Sequence, residues 1–154
     1  MIWCRDLGAG VQVCRMDRPS SKASLLSDRL IRFGGRVCGV VRRAPREPML
    51  ESAFRQLARS ATSPAANYAE AREAVSSRDY IYKLKTCVKE LRETMSWLQM
   101  VQAAGYRTRD LQPLIEECDE LVAICVACVR KASGNVSKQE YEDQGARERK
   151  EEGR

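Results

Sequence analysis

Apolar side chains recur through the middle of this chain at alternating three- and four-residue steps, the pattern of helices that each bury one stripe. The clearest stretch is residues 78–104, where Ile81, Leu84, Val88, Leu91, Met95 and Leu98 form an unbroken heptad seam. Ser77 stands where a cap is needed, Asp79 lies in the first turn, where the helix dipole favours an anion, and Gly105 offers the left-handed residue that ends a helix. Residues 109–132 repeat the pattern with Leu111, Leu114, Cys118, Leu121, Cys125 and Cys128, widened by Ile115, Val122 and Val129. Thr108 is a fitting cap there, and Pro113 is tolerated in the first turn. The loop between these two stretches is short, so they are expected to pack antiparallel as a helical hairpin.

Two further helices precede them. Leu26, Leu30, Phe33, Val37 and Val41 mark the first, which Gly34-Gly35 should weaken and Pro45 and Pro48 should terminate. The second carries Leu50, Phe54, Leu57, Ala61, Pro64, Tyr68, Ala71 and Val75, a heptad that runs straight through a proline and predicts a bend near Ala61. Around that proline the side chains turn small (Ala58, Ser60, Ala61, Ser63, Ala65, Ala66, Ala69), so a neighbouring helix can approach closely. Four amphipathic helices with short connections and sustained 3.5-residue spacing predict an all-α fold, a left-handed antiparallel up-and-down four-helix bundle over residues 24–132. Residues 1–23 lack a sustained period and read as a poorly ordered N-terminal arm; residues 133–154 read as a charged C-terminal tail with almost nothing apolar to bury.

Charge adds direction to this frame. Lys and Arg number 27 against 21 Asp and Glu, a formal charge of +6, which favours an acidic or polyanionic partner. The excess sits early: residues 24–74 hold nine basic and five acidic side chains, residues 106–154 nine and eleven. Charges interrupt the opening Met1-Ile2-Trp3-Cys4-Arg5-Asp6 before any signal-like apolar run develops, and no segment nears the ~20 apolar residues of a membrane span. A cytoplasmic protein with no membrane partner is expected, its seven cysteines, Cys87 among them, reduced and packed as small hydrophobes.

Candidate chemistry is sparse. Cys125-Val126-Ala127-Cys128 has metal or redox spacing, with Cys118 two turns earlier and Cys87 the one conceivable fourth ligand. The chain has no histidine and no second pair, however, so the thiols read as core and no metal or cofactor is expected. The lack of histidine also removes di-iron chemistry and most nucleophile–base pairs, so no enzymatic activity is expected. Neither Gly8-Ala9-Gly10 nor Gly34-Gly35 has the strand-to-helix context of a phosphate loop. Arg55, Arg59 and Arg72 on the second helix and Lys83, Lys85 and Lys89 on the third are the candidate phosphate contacts, although a Glu51–Arg55 pair at i,i+4 engages one of them. Asn67, Glu70, Glu90 and Glu93 are candidates for a polar network that fixes helix register, Asn67 and Glu70 sharing a face beside the small-residue stretch, against the plainer reading of a solvated face. Trp97 reads as core or interface rather than as a base platform.

The run Arg59-Ser60-Ala61-Thr62-Ser63-Pro64-Ala65-Ala66-Asn67-Tyr68-Ala69-Glu70-Ala71, followed by Ser76, Asp79-Tyr80-Ile81-Tyr82-Lys83-Leu84, Lys89-Glu90, Glu93 and Trp97-Leu98, resembles the bacterial four-helix bundle proteins encoded in intervening sequences of 23S ribosomal RNA genes. The resemblance spans about residues 24–132 and includes Ala104-Gly105-Tyr106. It implies a ring-shaped homopentamer, and distantly a likeness to the basic bundle that serves diversity-generating retroelements by engaging reverse transcriptase and nucleic acid. It makes Asn67, Tyr68, Glu70, Asp79, Lys83, Glu90 and Glu93 signature positions with structural or interface roles, while Gly34-Gly35 and the cysteine-rich fourth helix depart from the pattern. The expectation from sequence is a homo-oligomeric bundle that binds RNA or a ribonucleoprotein through a basic surface centred on the second and third helices; the rival is a scaffold for a protein partner such as a reverse transcriptase.

Overall fold

The structure is a computed structural model that describes residues 22–44 and 47–152, with side chains described for residues 24–44, 47–48 and 50–135. It consists of α1 (Lys22–Arg43), α2 (Pro48–Arg72), α3 (Ser77–Ala103) and α4 (Leu111–Glu152). Each helix packs on its neighbours in chain order, and α4 returns to α1 to close an all-α four-helix bundle. Cross-helix contacts fix the directions: Arg59 meets Glu93 while Glu70 meets Lys83, and Arg29 meets Glu117 while Arg43 meets Asp110, so α2/α3 and α1/α4 both run antiparallel. The closure of α1 on α4 is the weakest of the four packings.

The predicted seams form the core. Leu30, Phe33, Val37, Leu57, Leu84, Leu91, Leu98, Leu114 and Leu121 are all but inaccessible, while Met95 reaches only its margin and Ile81 is partly exposed. On α3 the buried set also takes in Cys87, Thr94 and Val101, because this helix packs on α2 and α4 at once and needs a stripe wider than one heptad seam.

Helix ends follow local chemistry, with several departures from the sequence reading. The cap of α3 is Ser76, one residue before the expected Ser77; its Oγ accepts the Asp79 amide at 3.1 Å. Gly105 ends the helix with φ +92°, as expected. Val75 does not continue the α2 seam: the helix stops at Arg72, and Val75 in the following turn is 96 % exposed. Pro48 does not terminate α1 but opens α2 at N1, where its missing N–H costs nothing; Pro45 and residues 1–21 lie outside the described residues. The backbone of α4 continues helical through Ser133-Gly134-Asn135 to Glu152, so its 42 residues span ~63 Å against ~40 Å for the 27 of α3.

The expected close approach is made at Pro64, through which α2 runs unbroken. Ser60 and Ala61 are fully buried between α1 and α3. Facing α3, Thr94 Oγ1 lies 3.1 Å from Ser60 Oγ and 2.8 Å from the Glu90 carbonyl, while Ser60 Oγ lies 3.3 Å from the Leu57 carbonyl, so each buried hydroxyl has an acceptor in reach and the two hydrogens fill two of the three contacts at a time. One turn on, the Cys87 thiol donates to the Pro64 carbonyl at 3.4 Å. Facing α1, Gly34 is pressed so closely on α2 that a Cβ there would sit 2.9 Å from the Ala61 carbonyl oxygen. The expectation that both glycines weaken α1 is therefore corrected at Gly34, whose missing side chain lets two backbones meet. At Gly35 an added Cβ would meet nothing within 4 Å, so no contact offsets the low helix propensity of glycine.

The two neighbouring glycines should respond oppositely to alanine. Gly35→Ala should stabilise the chain by about 0.5–1 kcal/mol through helix propensity, whereas Gly34→Ala should lose about 1–3 kcal/mol by forcing the helices apart. Urea unfolding midpoints of both variants against the wild type measure the pair; equal shifts of the same sign would contradict the close-packing account.

Candidate nucleic-acid interface

Five of the six basic candidates divide between two faces of α3. On the α2 side, Arg59 bonds Glu93 at 2.7 Å and Gln56 at 3.0 Å, Lys83 pairs with Glu70, and Arg55 reaches Glu51 at 3.6 Å. A positive face over α2 and α3 is thus largely neutralised by its own carboxylates. These pairs are exposed enough for solvent to screen them, so they add little to stability, yet each lowers the charge available to an anion. Arg72, exposed at the end of α2, stands apart from both groups.

On the α4 side the arrangement differs. Lys85, Lys89 and Arg92 of α3 and Arg130 of α4 edge a groove of about 460 Å³ whose floor is Val88, Val126 and Val129. All four cations are exposed, and among the described residues none of them makes an ion pair or a side-chain hydrogen bond. Arg92 and Arg130 were not singled out from sequence. Their signal was present as the i,i+4 and i,i+7 spacing of Lys85, Lys89 and Arg92 on one stripe, but the partner from α4 becomes a neighbour only through the fold.

The signature positions do not close into one polar network. Asn67 Nδ2 bonds its own helix at Ser63, 3.0 Å to the carbonyl and 3.2 Å to Oγ. Glu70 and Glu93 are taken by cations across the α2/α3 seam, and the Trp97 indole also donates to Glu93 at 3.4 Å. Glu90 Oε2 is sealed from solvent with no hydrogen-bond partner among the described residues. Asp79 occupies the first turn of α3 as expected. Tyr68 is buried; with Tyr80, Leu26, Ile124 and Cys128 it lines an apolar cleft of about 520 Å³ at one end of the bundle, and burial pushes its phenol up to about 12.

The thiols divide by depth. Cys87, Cys118 and Cys125 are fully buried, and burial pushes each up to about 12; the Cys118 thiol donates to the Leu91 carbonyl at 3.3 Å. Cys128, expected in the core with them, is partly buried at the core's margin, where it lines the cleft beside Tyr68 and Tyr80.

A four-helix bundle with one ion-paired face and one unpaired cationic groove is the class that fold and surface define. The family model for the 23S rRNA-intervening sequence protein matches residues 27–127, and the chain belongs to that family. A crystal structure of a protein of unknown function from the S23 ribosomal protein family of Bacteroides thetaiotaomicron is similar, with 27% sequence identity and a TM-score of 0.66 over 71% of this chain and 99% of that one. Among curated proteins none matches significantly.

The buried thiols and Tyr68 carry a pH consequence. Their protons are held in the folded state to about pH 12, whereas an unfolded cysteine releases its proton near 9. Their contribution to stability is fully present below pH 9 and is lost as pH rises from there toward 12. Urea midpoints should therefore be lower at pH 10 than at pH 7, and iodoacetamide at pH 8 should label Cys38 and Cys128 in the folded protein while sparing Cys87, Cys118 and Cys125, as read by peptide mass mapping.

Proposed function

We propose that this chain is a non-enzymatic RNA- or ribonucleoprotein-binding bundle whose contact surface is the α3/α4 groove rather than the α2/α3 face. The observation that carries the reading is the fate of the charges: Arg55, Arg59 and Lys83 already have carboxylate partners, whereas Lys85, Lys89, Arg92 and Arg130 converge without one among the described residues. Unpaired cations gain the most on meeting phosphates, because no internal pair has to break and the counterions of the nucleic acid are released. The family's name links it to 23S ribosomal RNA, which makes structured ribosomal RNA the first ligand to try. Among the described residues no helix is long and apolar enough to cross a membrane; action in the cytoplasm, where thiols stay reduced, completes the proposal.

In filter binding to structured ribosomal RNA, four phosphate contacts should weaken affinity roughly 50- to 150-fold between 50 and 200 mM salt. Changing Lys85, Lys89, Arg92 and Arg130 together to Glu should abolish binding, while Arg59→Ala and Lys83→Ala should change it about two-fold or less. Salt-insensitive binding, or full affinity in the four-site variant, would refute the groove.

The second reading, a scaffold for a protein partner, draws on the valine floor of the same groove, which suits apolar side chains as well as it suits bases. Partners that stay bound in pull-downs after nuclease digestion would favour it. Self-assembly belongs to both readings. Leu25 and Ile31 on α1 are more than half exposed and offer apolar surface to another copy, and the homopentamer implied by the family resemblance would give a light-scattering mass five times the 17.4 kDa chain; a monomeric mass at micromolar concentration would exclude it.

A further inference from the structure

Resting on the RNA reading above, we infer that the ligand of the α3/α4 groove is single-stranded RNA, with Tyr82 as a base-stacking platform at one end of the cationic row. Tyr82 is 66 % exposed, a large aromatic ring left in solvent on the outer side of α3. At 3.6 residues per turn, Tyr82, Lys85, Lys89 and Arg92 fall on a single stripe that advances ~15 Å along the helix. Successive exposed positions of that stripe thus present one ring and three cations, and the fourth cation, Arg130, faces them across the groove.

The apolar parts of this surface distinguish a single strand from a duplex. A duplex keeps its bases stacked inside and offers phosphates and sugars outside, so it has no use for an exposed phenol ring or for a floor made of Val88, Val126 and Val129. A single strand presents unstacked bases, which gain by stacking on an aromatic face and by covering apolar side chains, while its backbone follows the cations. The groove, at about 460 Å³, has the volume of a small-ligand site, suited to a base and its sugar rather than to the side of a double helix. Interleaving of an aromatic with cations and an apolar floor is what sequence-tolerant single-strand binding requires.

The test is fluorescence-anisotropy titration of the full chain with a labelled RNA of about 12 nucleotides that cannot self-pair, and with the same strand annealed to its complement. The expected result is tighter binding of the single strand, a loss of roughly five-fold or more in Tyr82→Ala, and retention of affinity in Tyr82→Phe, which keeps the ring. Duplex affinity should be unchanged in Tyr82→Ala. Circular dichroism of that variant should be unaltered, since the side chain is mainly in solvent. Equal affinity for the two RNAs, or an unchanged single-strand affinity in Tyr82→Ala, overturns the inference; if the four-site Glu variant still loses binding to both RNAs, the broader RNA reading survives it. Absence of binding to either RNA by the wild-type chain overturns both.

Discussion

The structure depends on how closely α2 lies between its two neighbours around Pro64. Ser60 and Ala61 present almost no side-chain volume, so the Gly34 backbone reaches the Ala61 carbonyl on one side and Thr94 reaches Ser60 on the other. A proline in mid-helix removes an amide and gives up one backbone hydrogen bond. Here the carbonyl of that proline is occupied by the Cys87 thiol of α3, and the neighbouring buried hydroxyls satisfy one another. Because the contact involves backbone and short side chains, it has little slack, and it sets the register in which Glu70 faces Lys83 and Glu93 faces Arg59.

That register in turn sorts the surface charge. Once α2 and α3 are locked, carboxylates and cations at their shared edge face one another and cancel. The opposite edge of α3 meets α4 at a point where α4 presents Val126 and Val129 and an arginine, not acids. Net charge is a property of the whole chain, but local potential depends on which cations lack an internal partner, and among the described residues four of those, Lys85, Lys89, Arg92 and Arg130, converge in one groove.

Much of this architecture was legible beforehand. Heptad spacing located all four helices because periodic burial is a local constraint, and Gly105 marked the end of α3 because few other residues adopt its positive φ. Legibility failed where competition between local options was decided from outside. Ser76 and Ser77 are both competent caps, and the structure uses the first. Val75 continues the numerical spacing of α2 but lies past the end of the helix, where spacing has no meaning. Cys128 keeps the heptad but is only partly buried, since the seam there opens onto the cleft lined by Tyr68 and Tyr80. Asn67 bonds its own helix, Glu70 and Glu93 bond cations across the α2/α3 seam, and Glu90 Oε2 finds no partner among the described residues, so the four do not form one network.

By itself the sequence determined the number of helices, their apolar stripes, the small-residue passage through Pro64 and an excess of basic side chains, because each follows from interactions within a few turns of one helix. Only the tertiary structure decided that Gly34 is a contact rather than a weakness, that Arg59 and Lys83 are neutralised while Lys85, Lys89 and Arg92 are not, and that Arg130 joins them. The physical reason is that ion pairing and steric contact act over a few ångströms in space, between residues that sequence order separates by a whole helix.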